Sequence, residues 1–95
     1  LREGLHQLDA LSRPDLAVVV SGADPYEKDA LPSTQGLRLP LSQMLERDQL
    51  IYRFLCESRL AYAGLMSGGY GPDVWEVYAE FLLWALRDRL RSAIP

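Results

Sequence analysis

The spacing of hydrophobic positions changes several times along the chain, and each change marks an element. Leu1, Leu5, Leu8 and Leu11 recur at helical intervals, which predicts an amphipathic helix over 1–12 that Ser12-Arg13-Pro14 ends. No Ser, Thr, Asp or Asn precedes Leu1 as a cap and no Met opens the chain, so the sequence reads as part of something longer. Leu16-Ala17-Val18-Val19-Val20 is an unbroken, mostly β-branched run, which predicts a strand buried on both faces, as in parallel sheets. Residues 21–40 carry Gly22, Pro25, Pro32, Gly36 and Pro40 and predict a long irregular loop.

Helical spacing returns over 41–57, with Leu41, Met44, Leu45, Ile51, Phe54 and Leu55 on an apolar side and Glu46, Arg47, Asp48 and Arg53 elsewhere. Ala61-Tyr62-Ala63-Gly64-Leu65-Met66 predicts a second strand. A helix between two strands makes a βαβ unit with parallel strands, so the loops after Val20 and Met66 should leave by the same edge. The last helix is expected over 72–91, with Pro72 in its first turn and Asp73 facing the positive end of its dipole. Its main stripe is Trp75, Ala79, Leu82 and Leu86, while Val77 and Trp84 lie on another side, a breadth that calls for contacts beyond this chain's own sheet. The fold class is therefore α/β, one segment over 1–95, in α-β-α-β-α order and three layers.

Composition narrows the function. With 95 residues, 48% apolar and 24% charged, the chain suits one globular domain, and its net charge of −3 argues against neutralising a run of phosphates, so no nucleic-acid partner is expected. No stretch reaches the roughly 18 apolar residues of a membrane span, so no membrane partner is expected, and no signal peptide is visible. A cytoplasmic location is the default. The lone Cys56 has no second cysteine to pair with and reads as a small buried side chain, and the lone His6 reads as solvent-facing. Arg87, Arg89 and Arg91 read as a solvated helix end.

Two turns carry the candidate chemistry. Asp24 follows the first strand within Ser21-Gly22-Ala23-Asp24-Pro25, where it can serve as a metal ligand or base, or simply start a turn by bonding its own backbone. Tyr70 stands in Ser67-Gly68-Gly69-Tyr70-Gly71-Pro72, where glycines allow close approach of another molecule. Its phenol can stabilise an oxyanion, or it can be an ordinary tyrosine among turn formers. Glycine-rich turns before helices also cradle phosphates, yet neither nucleotide-binding glycine pattern is present.

Taken together, Pro14-Asp15-Leu16, Gly22-Ala23-Asp24, Lys28-Asp29-Ala30-Leu31-Pro32, Arg47-Asp48 and Gly68-Gly69-Tyr70 resemble, in order and spacing, the last third of the zinc-dependent histone deacetylase family. That family has the arginase/deacetylase fold, and the form Ser67-Gly68-Gly69-Tyr70 is most like its class IV-like and bacterial members. The resemblance implies that Asp24 is a zinc ligand, that Tyr70 polarises the substrate carbonyl, and that Gly68 and Gly69 shape the substrate tunnel. It implies hydrolysis of N-acetyl-lysine or a related N-acetyl amide by zinc-activated water. Lys28 and Pro32 replace two loop glycines of the family, and its paired histidines and D-x-H motif are not in this chain. One aspartate cannot hold catalytic zinc, so zinc is expected in a longer parent and not on this chain alone, which should be inactive. From a different class, the same pattern fits a noncatalytic α/β module that associates, as a homo-oligomer or with a partner, through Trp75 and Trp84 of the last helix.

Overall fold

The computed structural model describes residues 1–30 and 36–93. It is a small α/β unit in the expected order: α1 (Arg2–Asp9), β1 (Leu16–Ser21), α2 (Leu41–Glu57), β2 (Ala61–Met66) and α3 (Trp75–Ala93). The two strands are parallel and in register from Leu16 opposite Ala61 to Ser21 opposite Met66. Both therefore end at the same edge, as a helical crossover between them requires.

Among the described residues, β1 is covered on one face, and of β2 only Tyr62 is half-buried. Along β1, positions alternate between exposed and half-buried, with Leu16, Val18 and Val20 exposed and Ala17, Val19 and Ser21 turned to the helices. In the register of the pair, Ala61, Ala63 and Leu65 share the bare face. This corrects the expectation of a strand buried on both faces: among the described residues, no element lies over Val18 and Leu65, so an apolar run that suits a fully enclosed strand is half wet.

The crossover helix α2 has the bounds that its periodicity predicts, and Pro40 at its N-cap stops the extended segment before it. Its buried residues are Met44, Asp48, Tyr52 and Leu55, spaced three or four apart as one helical face must be. Asp48, read as polar surface from the sequence, is thus interior, and the neighbouring Arg47 accompanies it. Cys56, expected to be buried, is exposed one position off that face. His6 and the arginines 87, 89 and 91 are exposed.

Helix α3 begins later than expected. Residues 72–74 form a tight turn in which the Asp73 and Val74 carbonyls accept the N–H groups of Glu76 and Val77 at 3.1 and 3.2 Å. Its packed face is that of Val77 and Trp84, read as secondary: Val77 is buried and Trp84 meets Tyr52 of α2 edge-on at 5.1 Å between ring centroids, while Phe81, a neighbour of the expected main stripe, meets the same ring at 6.0 Å. The supposed main stripe faces water, with Trp75, Leu82 and Leu86 all more than half exposed. A helix apolar on nearly every side offers two candidate stripes, and hydrophobicity alone does not choose between them.

The core also sits where the sequence did not place it. Ala23, Tyr26, Met44 and Val77 form the buried cluster, with Leu39, Leu41, Val74 and Tyr78 against it. Half of that cluster comes from the loop after β1, which doubles back so that Tyr26 bridges Leu39, with Glu27 and Leu39 donating backbone N–H groups to Leu39 and Pro25 carbonyls at 2.8 Å. Tyr26 is pinned further by its phenol, which donates to Glu76 Oε2 at 2.8 Å. Residues 21–30 are therefore a structured ledge on the carboxyl edge of the sheet. Leu31 and Pro32 of the loop pattern lie outside the described residues.

Candidate functional site

The edge where β1 and β2 end is built by two turns lying against each other. After Ser21 the chain leaves the sheet, and Ser67 on the other turn continues the pairing for one more step by donating its N–H to Ser21 O at 3.2 Å. Ala23 then donates to Gly68 O at 3.5 Å. The Asp24 carboxylate reaches across and accepts the N–H of Gly69 at 3.3 Å. Asp24 and the glycine-tyrosine turn, two sequence-predicted features 45 residues apart, are hydrogen-bonded neighbours.

This approach explains the two glycines. Gly68 and Gly69 have φ of 83° and 102°, in the region that L side chains avoid. Space forbids side chains there as well: a Cβ on Gly68 would collide with the Asp24 carboxylate, and one on Gly69 would lie 2.7 Å from Ala23 Cβ. The glycines let the Asp24 turn close on the Tyr70 turn, in addition to any part in shaping a substrate channel.

Tyr70 itself is half exposed at the rim, 50% of its surface open. Its backbone is held from both sides by the ledge: Asp29 Oδ1 accepts its N–H at 2.5 Å, and Ala30 donates an N–H to its carbonyl at 2.7 Å. Asp29 is buried and Tyr70 is half exposed, so an interior carboxylate holds the backbone of a residue at the rim.

Two further residues brace this edge from behind. Tyr78, on the first full turn of α3, donates its hydroxyl to Gly68 O at 2.6 Å, with Ser21 O next at 3.3 Å. Burial raises its phenol pKa above the ordinary value, and the Asp24 carboxylate adds to the rise. Arg47 donates Nη1 to Gly22 O at 2.7 Å and Nε to Asp48 Oδ1 at 2.9 Å, while Nη2 makes an ion-pair contact with that oxygen at 2.8 Å without a hydrogen bond. Burial pushes the Asp48 carboxyl above its ordinary pKa, against the pull of the Arg47 charge. The Arg47-Asp48 pair is thus a strut whose cation holds the carbonyl two residues before Asp24.

The structure brings together Asp24, Gly68, Gly69 and Tyr70, and it adds Asp29, Tyr78 and Arg47, whose parts sequence reasoning did not assign. Tyr78 has no motif; its signal is only its place one turn into the helix that follows the glycines. His6 stays on α1. Among the described residues no group of three His, Cys, Asp or Glu side chains could hold a metal ion, and no helix is long and apolar enough to cross a membrane. Chemically, the edge offers the Asp24 carboxylate and one half-exposed phenol, Tyr70, on turns that the glycines let pack together. In comparisons with known proteins, no family model, no curated protein and no solved structure matches the chain.

Proposed function

We propose that this chain is the C-terminal part of a zinc-dependent deacetylase domain of the arginase/deacetylase fold, one that hydrolyses N-acetyl-lysine or related N-acetyl amides. The observation that supports it is the meeting of Asp24 with Gly68-Gly69-Tyr70 at the carboxyl edge of a parallel strand pair, the edge outside which open α/β sheets bind ligands. Four separated motif segments of the sequence converge there, Arg47-Asp48 and Asp29 included.

Zinc is not accounted for by this chain alone. A catalytic zinc takes about three protein ligands, and Asp24 offers one, so the described residues do not fit a complete metal site. The other ligands come from outside this chain, and the chain by itself is inactive. On this reading the bare sheet face and open strand edges are where further strands and the third layer sit. Tyr70 donates its phenolic proton in a hydrogen bond to the amide carbonyl oxygen, a bond that strengthens as that oxygen gains negative charge. Gly68 and Gly69 let the Tyr70 turn pack directly on Ala23 and Asp24, which keeps the phenol and the carboxylate on one edge.

In the protein with its remaining ligands present, Tyr70→Phe is expected to lower kcat about a hundredfold or more, the usual effect of losing one oxyanion donor. Asp24→Ala is expected to abolish zinc binding, measured by metal analysis. Turnover of an acetyl-lysine peptide that survives both substitutions sinks the proposal.

A second reading, a noncatalytic module that associates through its last helix, draws on the exposed row of Trp75, Leu82, Leu86 and Leu90. Trp84 belongs to the chain's own packing, so Trp75 is the informative tryptophan for that contact.

A further inference from the structure

We infer that Asp29 is the positioning residue for Tyr70, an inference that rests on the proposed role of the Tyr70 phenol and adds to it the group that aims it. Tyr70 stands in a row of residues with little conformational restraint of their own: Gly68, Gly69 and Gly71 around it have φ of 83°, 102° and 114°. No side-chain hydrogen bond holds its phenol among the described residues, and half of the residue is in water. The bond from which the phenol extends, Cα–Cβ, is set by its backbone, and the staggered χ1 wells are then the choices left to it. The Asp29 carboxylate fixes the peptide plane before Tyr70 through the N–H, at 2.5 Å, and Ala30 fixes the plane after it through the carbonyl, at 2.7 Å. With both planes fixed, the Cα–Cβ bond of Tyr70 has one direction.

The support behind Asp29 leads into the core. Asp29 donates its own N–H to Tyr26 O at 3.0 Å, and Tyr26 is buried in the core and bonded to Glu76. A buried carboxylate is costly unless paired, and a charged acceptor binds an N–H about twice as strongly as a neutral one. Asp29, at 9% exposure, is buried, and one of the groups its carboxylate engages is the Tyr70 N–H. A displacement of about 1 Å at such a site lowers turnover by about a hundredfold.

The test reads the backbone bond separately from the reaction. In the full chain, amide exchange followed residue by residue should show Tyr70 exchanging at least tenfold faster in Asp29→Ala, while the β1 and β2 amides keep their rates. Asp29→Asn preserves volume and a weaker neutral acceptor. It should keep the fold, shift the Tyr70 amide proton upfield and raise its exchange by a smaller factor. A Tyr70 amide that is unchanged in Asp29→Asn overturns the inference even if the alanine variant does not fold. In the zinc-complete protein, Asp29→Ala should lower kcat about a hundredfold with KM within a few-fold, and Asp29→Asn should restore most of it. Full kcat in Asp29→Ala overturns the positioning role. If exchange changes as expected but neither protein nor variant turns over an acetylated amide, the Asp29 bond stands and the deacetylase reading is what fails.

Discussion

At the scale of single residues, the buried phenols set the alkaline limit of the fold. Burial, followed by the hydrogen bond to Glu76, pushes Tyr26 from 10.0 to about 12, and burial with Cys56 and Asp88 alongside does the same to Tyr52. A folded-state pKa above the unfolded value means that the stabilising protonated form is fully present below pH 10.0 and is lost as pH rises through about 12. Denaturant midpoints should therefore hold up to pH 10 and fall steeply beyond it. Phenolate absorbance should rise together with unfolding in that window. Tyr26→Phe should cost about 1.5 kcal/mol at neutral pH, the worth of a hydrogen bond to a charged acceptor, and should flatten part of the alkaline loss. An unchanged neutral midpoint would show that the Glu76 bond contributes nothing. At the opposite end of the scale, the raised Asp48 pKa has the same sign: ionising that carboxyl as pH climbs past the ordinary carboxylate range weakens the fold, and the neighbouring Arg47 offsets part of the loss.

At the scale of elements, the chain's bounds and order were legible where one physical signal dominated. The β-branched run of β1, the alternative helical period of α2 and the proline and glycine punctuation between them set the strand pair and its direction. The placement of Asp24 and Tyr70 at one edge was legible for the same reason, because both turns follow directly from where parallel strands must end. The facing of α3 was not, since Trp75, Leu82 and Leu86 are as apolar as Val77, Phe81 and Trp84, and only contact with α2 decides between them. Nor was the ledge, because Gly22 and Pro25 mark a loop but do not show that Ala23 and Tyr26 fill the core. Energetics should follow the observed facing. Trp84, stacked edge-on with Tyr52 and lying 5.2 Å under the Arg53 guanidinium, should cost about 3 kcal/mol when changed to alanine. Trp75→Ala should stay within about 0.5 kcal/mol of the parent chain, as expected of an exposed position. Chemical denaturation of the two variants checks the facing directly, and the reverse ranking would show that the packed stripe is the other one.

At the scale of the whole molecule, the unusual property is a parallel sheet with one face in water. Leu16, Val18, Val20 and Leu65 are 58%, 57%, 65% and 50% exposed, and the strand register sets all four on the same side. Among the described residues the sheet has two strands, so each of them also presents an unpaired edge. Fully burying one such side chain is worth about 1.5–3 kcal/mol, so covering this face stabilises any arrangement that achieves it. Contiguous apolar patches of this kind mark contact surfaces. The isolated chain should therefore associate as its concentration rises, followed by sedimentation, and should bind an apolar fluorescent dye. Val18→Thr with Val20→Thr keeps strand propensity while making the face polar, and it leaves Ala23, Tyr26, Met44 and Val77 untouched. That pair should shift the chain toward monomer, with an unfolding midpoint equal to that of the dilute, monomeric parent. Leu82→Lys with Leu86→Lys removes the other exposed apolar row without touching the Tyr52, Phe81 and Trp84 contacts. Loss of association in the threonine pair alone assigns the contact to the open sheet, the outcome that the proposed larger domain predicts. Loss in the lysine pair alone assigns it to α3 and favours the interaction module, and a wild-type chain that stays monomeric without binding dye counts against both.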